Sequence, residues 1–158
     1  MNWLRWWWPA VVWAALIFSA STDQFSGEHT SRFFTPFLHW LFPSAASETL
    51  EAVHLFFRKC AHIGEYFLFS LLLVRGIRGA RRGWRREWAV AAIAAAAGWA
   101  ALDELHQAFV PSRGPSLLDV LIDTCGAIAA QAVFAVSVHL HPRPPGQGAA
   151  ADNTKLIM

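Results

Sequence analysis

Residues 57–77 read FRKCAHIGEYFLFSLLLVRGI. From Phe67 to Val74 the stretch is uncharged and apolar, and the ionisable side chains crowd its first turns. About 20 mostly apolar residues are needed for a helix to cross a bilayer, so the stretch predicts a span whose polar groups sit at one depth. Residues three and four apart share a helix face. Lys59, His62 and Glu65 or Tyr66 therefore form one stripe.

Working outward, three more segments have the same character: Trp3 to Ala20, about Trp88 to Ala108, and about Ser116 to Val138. The composition agrees. Of 158 residues, 55% are hydrophobic and 15% charged, with nine Trp and twelve Phe against one Tyr. Soluble domains carry about 25% charged residues. These values, with a mean hydropathy of +0.33, exclude a disordered chain, a coiled coil and a secreted disulfide scaffold. The expectation is an all-α, polytopic membrane bundle with four transmembrane helices. Arg5, the apolar run and Ser19-Ala20-Ser21 also fit a signal peptide, but Trp at 3, 6, 7, 8 and 13 favours a retained anchor.

The connections differ from one another. Residues 22–52 form a long loop containing the aromatic segment 33–42, too short to span and read as interfacial or re-entrant. Ser47 to Glu51 looks like a helix start leading into span two. Residues 75–87 carry Arg75, Arg78, Arg81, Arg82, Arg85 and Arg86. Short loops rich in Lys and Arg stay in the cytoplasm, which places this loop and both termini inside. The arginines read as a topology signal that touches anionic lipid, not as a nucleic-acid site. Residues 109–115 form a turn rich in breakers. The expected division is a membrane domain over 1–140, with its core motifs at 55–135, and a disordered cytoplasmic tail over 141–158.

On this topology the charges collect at the outer ends of three spans. Span two brings Lys59, His62, Glu65 and Tyr66; span three brings Asp103, Glu104, His106 and Gln107; span four brings Asp119 and Asp123; Arg113 lies in the turn between three and four. An acid near the bilayer centre costs about 2.5–3.5 kcal/mol on insertion scales, so five acids imply mutual contacts. The expectation is a polar chamber open to the outer face, with Lys59 and Arg113 partly neutralising Glu65, Asp103, Glu104, Asp119 and Asp123. Plainer roles are open to several of these. Asp119, three after Ser116, completes a capping box; Glu104 faces headgroups; His106 is interfacial; Arg58 snorkels. Cys60 and Cys125 read as small buried side chains. Ala91, Ala94, Ala95, Ala97, Gly98 and Ala101 mark span three as the central helix.

The pattern Lys59-x2-His62-x3-Tyr66, Asp103-Glu104-x2-Gln107-x5-Arg113 and Ser116-x2-Asp119-x3-Asp123-x2-Gly126 resembles the VanZ-like family of bacterial membrane proteins. The likeness covers about half of the chain and departs at Asp123, where the family often has Asn. It implies an envelope protein of the bacterial cytoplasmic (inner) membrane, with its site facing the outside or periplasm and a link to teicoplanin sensitivity. It supplies no reaction.

Three functions compete. The first is non-catalytic binding of a lipid headgroup, a lipid-linked molecule or a glycopeptide-like ligand by Lys59, His62, Tyr66, Asp103, Gln107, Arg113 and Asp119. The second is an intramembrane hydrolase or transferase on a phospholipid or polyprenyl phosphate. It would draw its catalytic groups from His62, Glu65, Asp103, Glu104, Asp119 and Asp123, with a divalent metal on His62, Glu65, Asp103, Asp119 and Asp123 as one version. No HExxH, GxSxG or Walker motif is present. The third, a coupled transporter, ranks last because the polar groups stop halfway through the membrane.

Overall fold

The computed structural model describes residues 3–21, 27–110 and 114–141; within 27–33 it describes the backbone alone. The described residues are helical, with no strand: α1 (Leu4–Ala20), α2 (Gly27–Leu41), α3 (Ser47–Arg78), α4 (Arg86–Gln107) and α5 (Leu117–Leu140). By length and composition α3, α4 and α5 can each cross a membrane. The helix start read at Ser47 to Glu51 is the start of α3, which runs unbroken for 32 residues into span two. At about 1.5 Å per residue this is longer than a bilayer core. The aromatic segment is part of a 15-residue helix, α2. Its Phe34 ring packs on His54 and Phe57 of α3, and Leu38 is buried while Trp40 stays exposed. Arg113 and residues 142–158 lie outside the described residues.

The central helix is α3, not α4. It packs against all four other helices, and its most extensive interface is with α5. The reason lies at Gly126. A Cβ there would come within 2.5 Å of the Ile63 carbonyl oxygen, so only glycine lets the two backbones meet. Along this interface Lys59 pairs with Asp119, His62 with Asp123, and Ser70 with Ala127 and Gln131. Both numbers rise together, so α3 and α5 run parallel.

The small residues of α4 also act differently from the expectation. Ala91, Ala94, Ala95, Gly98 and Ala101 are exposed, whereas Ala92, Ala96 and Ala100 are fully buried. Those three recur every four residues, and Asp103, Glu104 and Gln107 continue the same face. The alanine half of that face packs into the bundle; its last turns carry the polar groups. Cys60 and Cys125 are exposed, contrary to the expected burial, because each lies on the side of its helix away from the α3–α5 contact.

Helix α1 runs antiparallel to α3. Trp7 lies over Gly76, where a Cβ would meet its ring at 2.8 Å, and Trp13 Nε1 donates to the Glu65 carbonyl at 3.1 Å. Pro9 sits inside α1. Having no N–H, it leaves the Arg5 carbonyl without its helical partner. Arg75 replaces it: Nη2 donates to Arg5 O at 3.1 Å and Nη1 to Trp6 O at 2.8 Å. Arg81 likewise closes the end of α3 by donating to Ile77 O and Arg78 O. Two of the arginines read as a topology signal therefore also satisfy backbone carbonyls.

Two outcomes follow from these contacts. Gly126→Val forces α3 and α5 apart and costs about 1–3 kcal/mol or more, read as lost thermal stability in detergent, whereas Gly98→Val, in open space, changes little. Arg75→Met destabilises by about 1–3 kcal/mol in the parent chain and by less in a Pro9→Ala background, where the helix supplies its own donor; equal losses in both backgrounds would contradict this role.

Candidate functional site

One end of the bundle carries nearly all the buried polar chemistry. The stripe on α3 arises because Lys59, His62 and Tyr66 fall three and four residues apart. The exposure of these side chains falls with depth: Lys59 27%, His62 17%, and Tyr66 as a whole residue 1%. Asp119 and Asp123 sit one turn apart on α5 and face them. Lys59 Nζ is hydrogen-bonded and ion-paired to Asp119 Oδ1, and His62 Nδ1 lies 3.2 Å from Asp123 Oδ1.

The start of α5 is capped from two helices. Ser116 Oγ accepts from the Asp119 N–H at 3.3 Å, which is the expected half of a capping box. The reciprocal half comes from α4: the Ser116 N–H donates to Glu104 Oε2 at 2.6 Å. Asp119 is thereby left for Lys59. Glu104 is buried instead of facing headgroups, because it serves the N–H groups and positive dipole of the α5 N-terminus. His106 stacks on Phe18 of α1 with ring centroids 4.4 Å apart, which makes it a packing residue of the α1–α4 contact.

The third cluster includes a residue that sequence reading missed. Ser21, just past the end of α1, donates to Asp103 Oδ2 at 2.5 Å, and Gln107 Nε2 donates to the same oxygen at 2.9 Å. All three residues are buried. The family-like pattern includes Asp103 and Gln107 but gives no spacing that ties Ser21 to them across 82 residues. Deeper in the bundle, Gln131 Nε2 donates to Ser70 Oγ at 2.8 Å and Ser70 O at 3.1 Å, while Ser70 Oγ donates to Ala127 O at 3.1 Å. Neither residue was singled out, because uncharged polar side chains in an apolar run carry little signal.

Three buried side-chain atoms of this end stay without a partner, one of them His106 Nδ1 on the last turn of α4. Tyr66 Oη and Asp103 Oδ1 are buried and hydrogen-bonded to nothing, each other included. The Tyr66 phenol lies within electrostatic reach of Asp123, Asp103, Glu65 and Glu104. The metal-ligand candidates His62, Glu65, Asp103, Asp119 and Asp123 do not converge as a set: His62 meets Asp123, Asp119 meets Lys59 and Asp103 meets Ser21 and Gln107, and among the described residues no three His, Cys, Asp or Glu side chains form a group that could hold a metal ion. What the geometry offers is a graded polar track from Lys59 to Tyr66, lined with acids and hydrogen-bond acceptors.

The pairing of Lys59 and Asp119 makes a measurable demand. Lys59→Met leaves Asp119 without its cation and destabilises the bundle by about 1–3 kcal/mol; adding Asp119→Asn recovers most of that loss. Additive losses in thermal unfolding would show that the two side chains do not act as a pair.

The VanZ/LLP1 family model matches residues 6–138 of this chain. No curated protein and no solved structure matches it.

Proposed function

The chain belongs to the VanZ/LLP1 family, and on that footing we propose that it is a four-span protein of the bacterial cytoplasmic membrane whose outward polar end binds an envelope ligand. The ligand class is a lipid headgroup, a lipid-linked molecule or a glycopeptide such as teicoplanin. One observation carries the reading: Ser21 of the α1 end, Lys59, His62 and Tyr66 of α3, Asp103, Glu104 and Gln107 of α4, and Asp119 and Asp123 of α5 gather at one end of the bundle. Polar and ionisable residues within membrane segments usually serve a function.

Support for α1 as the fourth span comes from its reach. Its 17 residues extend about 26 Å at 1.5 Å per residue, close to a hydrocarbon core of about 30 Å. Its first turn meets Arg75 and its end meets Asp103, so it runs from the arginine end to the acidic end. The arginines of the α3–α4 connection assign that end to the cytoplasm, and both termini with it. In this reading the site performs recognition by charge and hydrogen bonds. Ser21 and Gln107 hold the Asp103 carboxylate in place, Glu104 fixes the start of α5, and the Lys59–Asp119 and His62–Asp123 pairs keep the mouth of the track polar.

A second reading, an acid/base hydrolase or transferase on a phospholipid or polyprenyl phosphate, has one observation in its favour. His62 Nδ1 faces Asp123 Oδ1, as a histidine base faces the group that orients it. Purified protein that releases phosphate or a headgroup from such a lipid, and loses this with His62→Gln, would select the catalytic reading.

Two measurements test the proposal. In a Cys60→Ser, Cys125→Ser background, an impermeant maleimide labels Glu48→Cys on intact cells and Ala80→Cys only after lysis; the reverse pattern inverts the topology. Expression in a glycopeptide-sensitive bacterium raises the tolerated teicoplanin concentration, and Asp103→Asn removes the gain. No change on expression, with the protein folded in the membrane, would remove the glycopeptide branch of the reading.

A further inference from the structure

The deep end of the polar track has a charge and hydrogen-bond imbalance that its own side chains leave open. Five carboxyl side chains, Glu65, Asp103, Glu104, Asp119 and Asp123, face one lysine and one histidine among the described residues. Lys59 is taken by Asp119, and His62 by Asp123. Glu104 is taken by the Ser116 N–H. The Asp103 Oδ2 atom is saturated by Ser21 and Gln107, two neutral donors.

What remains is acceptor capacity without a matching donor, on a carboxylate oxygen that only accepts and a phenol oxygen that accepts as well as donates. Asp103 Oδ1 and Tyr66 Oη are buried and unpartnered, in residues 5% and 1% exposed. Glu65, half-buried, is the neighbour of Tyr66 on α3. Buried polar atoms are nearly always hydrogen-bonded, and a negative site in a low-dielectric surround favours a cation. An anionic phosphate fits neither condition, since an ionised carboxylate only accepts.

We propose that this deep end of the polar stripe, resting on the ligand-binding reading above, takes a primary ammonium group, which enters by side-chain movement around Tyr66. An alkylammonium carries one positive charge and three N–H donors and has no acceptor. It supplies a donor to Asp103 Oδ1, a second to the Tyr66 hydroxyl oxygen and a third to the Glu65 carboxylate. The Tyr66 proton is then free to turn toward Asp123. Access follows the track whose exposure declines from Lys59 through His62 to Tyr66. The group is delivered either on an aminoethyl lipid headgroup or as a small free amine; the chemistry recognised is the same.

The test uses the full-length protein in nanodiscs holding equal amounts of phosphatidylethanolamine, phosphatidylcholine and phosphatidylglycerol. Lipids that stay bound on release are counted by native mass spectrometry, and ethanolamine binding is measured separately by calorimetry in phosphatidylglycerol discs. Retention of phosphatidylethanolamine about tenfold over both other lipids, falling to parity in Asp103→Asn and several-fold in Tyr66→Phe, supports the proposal with a lipid source. Glu48→Gln, exposed on the first turn of α3, leaves retention unchanged. Ethanolamine binding lost in the same two variants, with no lipid preference, supports it with a free amine as the source. Tyr66→Phe removes one oxygen and keeps the ring, so it remains informative if Asp103→Asn fails to fold.

Four results would overturn it. Equal retention of phosphatidylcholine, which has no N–H, would reduce the site to unspecific cation attraction. Selective retention of phosphatidylglycerol, lost in Lys59→Met, would remove the ammonium while leaving the ligand-binding reading intact. Amine uptake seen only after Arg113→Gln would mean that the chain's own guanidinium fills the site. Absence of any lipid or amine binding, before or after that substitution, would overturn the ammonium and the lipid-headgroup branch of the reading above, and leave its glycopeptide branch to the resistance test.

Discussion

Everything at the polar end depends on how closely α3 and α5 approach. Gly126 lies against the Ile63 backbone, and that contact sets the register of the whole interface. One turn to one side, His62 meets Asp123, and Lys59 meets Asp119 beyond it; to the other side, Ser70 meets Ala127 and Gln131. A side chain on Gly126 would separate the backbones and unpair these rungs together. In an apolar surround each unpaired group is costly, so one missing Cβ supports several polar contacts at once.

The same rule, that buried polar groups must be satisfied, explains the less obvious partners. Pro9 frees a carbonyl in α1, and Arg75 of α3 meets it. Ser116 needs an acceptor at the start of α5, and Glu104 of α4 provides one. Asp103 needs donors, and they come from Ser21 and Gln107. In each case a second helix helps to meet the need, and for Asp103 its own helix adds Gln107. The bundle is held together by these exchanges as well as by the alanine face of α4. Tyr66 and Asp103 each retain a buried side-chain atom without a partner, as do Trp99, His106 and Gln131.

The parallel pairing of α3 and α5 also separates the two ends chemically. At one end the arginines cap helices and lie over aromatic rings, as Arg81 does over Trp88 and Arg78 over Phe134. At the other end the acids pair with Lys59, His62 and backbone N–H groups. A chain with little net charge, +2, therefore has strongly unequal ends, and binding properties follow from local charge and not from the total.

The sequence by itself determined the helical class, the three long apolar stretches, the family and the concentration of ionisable residues near particular helix ends, since all of these are properties of composition and of spacing along one helix. The i, i+3 and i, i+4 spacings also made the Lys59–His62–Tyr66 and Asp119–Asp123 stripes legible. Only the tertiary structure decided which stripe faces which. It selected α3 as the hub, chose Ala92, Ala96 and Ala100 over the neighbouring alanines, brought Ser21 to Asp103 and turned Glu104 inward. These are contacts between residues far apart in the chain, and an alanine every four positions looks the same on each face of an alanine-rich helix. Which face is buried depends on the neighbour it meets, and that neighbour is positioned by the closest approach that Gly126 allows.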